Sequence, residues 1–274
     1  MKLATLTTPQ GTSAARLDGD HYRLIDGFAD VGALLADPGW ETVAAAADGP
    51  AIPAADASVT TLVPHPGAIV CVGLNYRSHI LEMGRDLPGH PTLFAKFERT
   101  LTAPYADIEA VPEDPELDWE GELVIVIGTG GRRIAESDAA AHIAGYTLAN
   151  DISMRGWQMR TKEWLQGKAW EASTPVGPVL ATADEIDTAV ARLATTVNDE
   201  TVQDHAIADL VFDPAHLVSY ISTMMTLQPG DLILTGTPGG VGRARNPQVY
   251  LKAGDEVRVA VPGIGELRNR IVAG

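Results

Sequence analysis

Residues 116–128 read ELDWEGELVIVIG, with Asp118, Glu120 and Glu122 at every second position ahead of the run Leu123-Val124-Ile125-Val126-Ile127. On an extended chain, residues two apart project from one face, about 6.6–6.8 Å apart along the strand. The apolar run reads as an interior strand, so the acids stand where the chain enters a core. Two like charges at that spacing repel by roughly 2–3 kcal/mol at an effective dielectric of about 20. Exposure to water, protonation of one acid, or a bound cation would each relieve the cost. From the spacing alone, a solvated strand edge is the plainest account.

A second acid strengthens the cation reading. Asp151 ends another apolar run, GYTLAND, where the chain must turn. Two carboxylates from one strand and one from the next suit a hard divalent cation such as Mg²⁺, which takes oxygen ligands. Zinc is a poor fit: His21, His65, His79, His90, His142, His205 and His216 are scattered, and the single cysteine, Cys71, sits in AIVCVG as a small buried strand residue.

Further strand-like runs recur outward from this centre: AIVCVGL, TLFAKF, GPVLAT, LATTVN, DLILTGT and DEVRVAV. Few helices separate them. One helix is expected around Val31 to Leu35. Another follows Asp213-Pro214, an N-cap with proline at the first helical position, with Leu217, Val218, Ile221, Met224 and Met225 as its core face. The absence of regular β-α-β alternation argues against a doubly wound sheet and for an α+β, mainly β fold. The stretch DGPAIPAADAS (48–58) reads as a linker, dividing a small N-terminal α+β domain, residues 1–62, from a larger domain, residues 63–274.

Lys and Arg total 20 against 36 Asp and Glu, a formal charge of −16. Such a surface repels nucleic acid and anionic membranes. The N-terminus lacks a signal-peptide core and no run of about 18 apolar residues occurs, so a soluble cytoplasmic protein is expected.

The motifs GLNYRSHILEMG, LDWEGELVIVIG, GYTLANDISMR, GKAWEASTPVGP and LQPGDLILTGTPGGVG occur in that order between about residues 66 and 262. Together they resemble the fumarylacetoacetate hydrolase family, whereas GTPGGVG alone would mean little and lacks the lysine of a phosphate loop. The resemblance implies a mixed β-roll or β-sandwich core, a homodimer, bound Mg²⁺ or Mn²⁺, and a small anionic oxo-acid as substrate. It places the metal ligands at Glu120, Glu122 and Asp151, with Asp118 as a hydrogen-bonding neighbour or an exposed acid. It places a water-activating pair at His79 and Glu82, on a lid continuing through Gly84 and Pro88-Gly89, and an oxyanion-stabilising lysine at Lys168. It assigns substrate contacts to Lys96, Arg155, Gln158 and Thr237, with a structural role for Arg155 equally open. Larger relatives add a fourth carboxylate before the histidine; this chain is apolar there, so water or substrate would complete the ligand shell.

The leading expectation is a metal-dependent hydrolase that cleaves a C–C bond in a 2,4-dioxo acid of the acylpyruvate or fumarylpyruvate type, as in aromatic catabolism. The alternative on the same scaffold is decarboxylation or tautomerisation of an oxo-diacid such as oxaloacetate. A non-catalytic metal- or oxo-acid-binding protein would be expected to lack the histidine, the glutamate or the lysine, and all three are present.

Overall fold

A computed structural model of the chain describes residues 1–82, 84 and 86–274, the side chain of Glu82 excepted. The N-terminal quarter contributes β1 (Lys2–Thr8), β2 (Gly11–Asp18), β3 (His21–Leu24), α1 (Val31–Leu35), α2 (Trp40–Ala45), β4 (Ala51–Pro53) and β5 (Ser58–Val59). Then come β6 (Ile69–Gly73), α3 (Arg77–Glu82), β7 (Thr92–Ala95), β8 (Leu101–Thr102) and β9 (Ile108–Ala110). The centre holds β10 (Leu117–Asp118), β11 (Gly121–Ile127), β12 (Ile143–Asn150), β13 (Ser153–Met154), α4 (Arg155–Gln158), α5 (Leu165–Lys168) and β14 (Thr174–Thr182). The chain closes with β15 (Arg192–Val197), β16 (Glu200–Ala206), α6 (Pro214–Met224), β17 (Leu232–Leu234), β18 (Glu256–Val261) and β19 (Gly265–Ala273). The fold is α+β and mainly β, as expected.

One large sheet runs β4-β3-β2-β1-β14-β12-β11-β17-β6-β7, and a second runs β16-β15-β18-β19-β9. Every residue of β11 is buried. Its alternation sends Leu123, Ile125 and Ile127 into one apolar cluster and Val124 and Val126 into another, so it is sandwiched on both faces. Cys71 joins the second cluster, fully buried as expected.

Both expected helices form. Asp213 caps α6 by accepting a hydrogen bond from the N–H of His216, and Leu217, Val218 and Ile221 pack into the core. The methionines depart from expectation: Met224 is 55% exposed, being the last helical residue before the chain straightens, and Met225 is only partly buried. The stretch read as a linker is also structured. Its Ala51–Pro53 pairs with β3, and Ser58 pairs with β1, which continues the sheet by pairing with β14. The expected boundary at residue 62 thus falls inside a continuous sheet, because alanine and proline at an edge strand satisfy the ladder while their composition mimics a linker. No helix among the described residues is long and apolar enough to cross a membrane.

Candidate active site

The strand register explains how the three acids meet. In the β11–β12 pair, Gly121 faces Asn150 and Glu122 faces Ala149. The ladder is extended past the strand ends by Asp151 N–H donating to Glu120 O at 2.8 Å and by Glu120 N–H donating to Asn150 Oδ1 at 2.9 Å. Asp151 is thereby set beside Glu120, and the period of two places Glu122 on the same face. Carboxylate oxygens of Glu120, Glu122 and Asp151 all lie within 4.8 Å of one another, and all three residues are buried.

Counter-charges hold this cluster together. Lys168 Nζ bridges two acids, donating to Glu120 Oε2 at 2.6 Å and Asp151 Oδ2 at 2.7 Å. Lys96 Nζ donates to Asp151 Oδ1. Arg155 donates from Nη1 to Glu120 Oε1 at 2.6 Å and from Nε to Asp118 Oδ2 at 2.8 Å. Asp118 itself is fully buried and also accepts from the backbone N–H groups of Trp119, Gly242 and Arg243. It is the hydrogen-bonding neighbour of the two alternatives, not the exposed acid. Its oxygens are saturated by donors that brace Arg155 and the 242–243 turn.

Glu122 stands apart. It accepts from the N–H of Gly236 at 2.7 Å, a neutral donor. Gly236 has φ +97° and a Cβ there would stand 2.8 Å from Val72 O, so glycine is what lets this amide approach. Burial, followed by the charges of Asp151 and Glu120, pushes the Glu122 carboxyl well above its ordinary value. Asp151 goes the other way: burial opposes its ionisation, but Lys168 and Lys96 outweigh it and hold the carboxyl low. Burial likewise works against the Lys168 ammonium, and the charges of Asp151 and Glu120 overcome it, raising its pKa. A buried acid whose ionised form is disfavoured until more positive charge arrives, beside two further convergent carboxylates, is a donor set that fits a hard divalent cation.

A cavity of about 460 Å³ opens over the cluster. It brings together Glu120, Glu122, Lys168, Arg155, Gln158, Thr237 and His79 from the expected set. Arg155 and Gln158 share a hydrogen bond of 3.0 Å, and Thr237 Oγ1 accepts from Gln203 Nε2 at 2.8 Å. His79 rides on α3, whose first turn is docked by Asp209 accepting from the N–H and hydroxyl of Ser78. Lys96 is fully buried against Asp151 and is not among the residues that line the cavity. The Glu82 side chain, and Met83 and Arg85 of the expected lid, lie outside the described residues.

Sequence reasoning missed Phe94, Trp164 and Arg243, which also line the cavity. Phe94 and Trp164 meet edge to face with ring centroids 5.6 Å apart, and Lys168 Nζ lies 5.3 Å from the centre of the Phe94 ring. The only available signal for Arg243 was its position directly after the GTPGGVG turn. Nothing in the residues around Trp164 marked it.

The chain matches the model of the fumarylacetoacetate (FAA) hydrolase C-terminal family over residues 68–272. Among characterised relatives, it is 42% identical over 231 residues to the rat protein named oxaloacetate tautomerase Fahd2a, mitochondrial, covering 84% of this chain and 74% of that one. The human protein named oxaloacetate tautomerase FAHD2A, mitochondrial, is 41% identical over 84% of this chain and 74% of its own length. Among solved structures, fumarylacetoacetate hydrolase from Exiguobacterium antarcticum superposes with a TM-score of 0.91 at 31% identity, and 5-carboxymethyl-2-hydroxymuconate delta-isomerase from Mycobacterium smegmatis with 0.85 at 30%. Both superpositions cover 100% of either chain. A family match over most of the chain, relatives above 40% identity and the carboxylate trio gathered where β11 begins and β12 ends agree: the chain belongs to the fumarylacetoacetate hydrolase family.

Proposed function

We propose that the protein is a divalent-metal-dependent tautomerase of a small oxo-diacid, with oxaloacetate as the first candidate. The observation that carries this reading is 42% identity, over 84% of the chain, with a relative named as an oxaloacetate tautomerase. The cavity chemistry is compatible with it. Tautomerisation of an enol to its keto form removes one proton from oxygen and adds one to carbon; no C–C bond breaks and no water is consumed. The order of the two readings drawn from the sequence is thereby reversed, and C–C hydrolysis becomes the second.

Glu120, Glu122 and Asp151 would hold Mg²⁺ or Mn²⁺, which when bound supplies a Lewis acid that favours the enolate charge. Lys168, whose ammonium faces the cavity from between Glu120 and Asp151, holds developing negative charge on the substrate oxygen. His79 is the lining side chain whose residue type exchanges protons near neutral pH, and it carries the proton between oxygen and carbon. Gln158 and Thr237 orient the substrate. A homodimer and a cytoplasmic location are proposed alongside, for light scattering and cell fractionation to decide.

The hydrolase reading retains one specific support, the 0.91 superposition on a fumarylacetoacetate hydrolase. Stopped-flow absorbance of enol-oxaloacetate, with and without Mg²⁺, separates the two. Metal-dependent acceleration of enol loss with no release of pyruvate is expected. Unchanged enol decay together with cleavage of an acylpyruvate into two acids would reject the tautomerase and install the hydrolase.

A further inference from the structure

Besides His79, the described cavity lining carries three basic side chains: Arg155, Lys168 and Arg243. The first two are committed to buried carboxylates, Arg155 to Asp118 and Glu120, Lys168 to Glu120 and Asp151. Arg243 is placed differently. Its Nη1 lies 3.8 Å from Glu116 Oε2, at the outer limit of an ion pair, and both side chains are 37% exposed. Glu116 also meets the hydroxyl of Tyr250 at 3.4 Å. Loose, exposed pairs of this kind are worth little, so the guanidinium can turn to another carboxylate at small cost.

The backbone beneath that side chain is fixed. Gly242 N–H donates to Asp118 Oδ1 at 2.7 Å and Arg243 N–H to Asp118 Oδ2 at 3.0 Å. The same Oδ2 receives Arg155 Nε at 2.8 Å, so one buried carboxylate ties the 242–243 turn to the floor of the cavity. Only glycine fits at 242: a Cβ there would stand 1.8 Å from Val249 O and 2.9 Å from Asp118 Oδ1. Arg245, two residues on, is occupied elsewhere, paired with Glu200 at 2.8 Å and lying 5.8 Å from the Trp119 ring.

We propose that Arg243 is the specificity-determining residue that receives the distal carboxylate of a dicarboxylate oxo-acid, while the 2-oxo end lies toward Lys168 and the acid trio. The inference rests on the oxo-acid reading above and deepens it, because that reading leaves the second carboxylate without a named partner. A guanidinium fork meets a carboxylate through two parallel N–H donors, which an ammonium cannot reproduce. Glu116 then acts as the resting partner that the substrate displaces.

Two measurements on full-length protein in Mg²⁺ test it. Titration calorimetry compares malate, a non-enolisable four-carbon diacid, with lactate, its monoacid counterpart, on wild type, Arg243→Leu and Arg243→Lys. The malate-over-lactate preference should fall about tenfold in Arg243→Leu and recover only in part in Arg243→Lys. Steady-state kinetics on enol-oxaloacetate should show a comparable rise in KM with a smaller change in kcat. A preference for malate equal in wild type and Arg243→Leu, with both folded by circular dichroism, overturns the assignment. If wild type binds malate through Arg243 but turns over no oxo-acid, the proposed reaction falls and the assignment stands. Binding of neither ligand by wild type overturns both.

Discussion

At the scale of single residues, the site separates groups that act on a substrate from groups that hold other groups in place. On the proposed reading, His79, which lines the cavity, belongs to the first kind. Replacing it by Asn should lower kcat on the oxo-acid by about 10²–10⁴ while Mn²⁺ affinity, read by electron paramagnetic resonance, stays the same. Full turnover by that variant would remove His79 from the chemistry. Asp118 belongs to the second kind: four donors converge on its buried carboxylate. Asp118→Ala should cost about 3–5 kcal/mol in urea denaturation, because it removes one of the two carboxylates paired with buried Arg155 and leaves the 242–243 amides without acceptors. A loss below about 1 kcal/mol would contradict the bracing role.

The opposed shifts of Glu122 and Asp151 give a pH dependence whose sign can be worked out. Glu122 has a folded-state pKa above its unfolded value near 4.5. Its contribution to metal-free stability is therefore complete below that value and is lost as pH rises through the raised pKa. Asp151, held low by Lys168 and Lys96, contributes stability above the ordinary 3.8 and loses it as pH falls through its lowered pKa. If a divalent cation binds the ionised trio as proposed, the rise in melting temperature caused by Mg²⁺ should grow as pH rises through the raised Glu122 pKa. Parallel calorimetric profiles with and without the ion would count against the trio as its site.

At the scale of elements, legibility followed the strength of the pattern. β11, β12, β6 and β17 are continuous apolar runs and stood out. β2, β16 and β19 did not, since GTSAARLD, ETVQDHA and GELRNRIVA are polar over much of their length. In β19 the buried Leu267, Asn269 and Ile271 do alternate with exposed neighbours, but an asparagine in the middle of the buried row masked the period. α6 was legible from its cap, and the cap is also its test. Asp213→Ala should destabilise the protein by about 1 kcal/mol in denaturant titration, with m unchanged. No shift in midpoint would mean that packing of Leu217, Val218 and Ile221 alone holds the helix.

At the same scale, the acid trio was readable because two strands carry it, and strand period is a local property. The pairing of Lys96 with Asp151 was not legible, because the direction of a lysine beyond a strand end depends on what fills the space opposite. Arg243 and Trp164 reach the cavity from loops, whose course only the folded chain reveals.

At the scale of the whole molecule, the first 62 residues are woven into the rest. β1 pairs with β14, the Met1 ammonium reaches Glu185 at 3.0 Å, and Leu3, Leu34, Leu35 and Leu62 share a cluster with Val124 and Val126 of β11. Expression of residues 63–274 alone should therefore give aggregated protein, since it bares the edge of β14 and that apolar face together. A soluble, cooperatively melting fragment would show instead that residues 63–274 fold as a domain of their own.

The bridging ammonium of Lys168, with Lys96 and Arg155 beside it, has a consequence for the life of the protein between turnovers. Three basic groups already neutralise most of the acid charge gathered under the cavity. The strands that carry the acids are secured by the core on both faces, not by an ion. Core packing and counter-charges together therefore hold the carboxylates in place. Unlike a small zinc module, which unravels when its ion leaves, this fold would not depend on a bound cation for its framework, so a chelator should leave the far-ultraviolet circular dichroism of the protein unchanged.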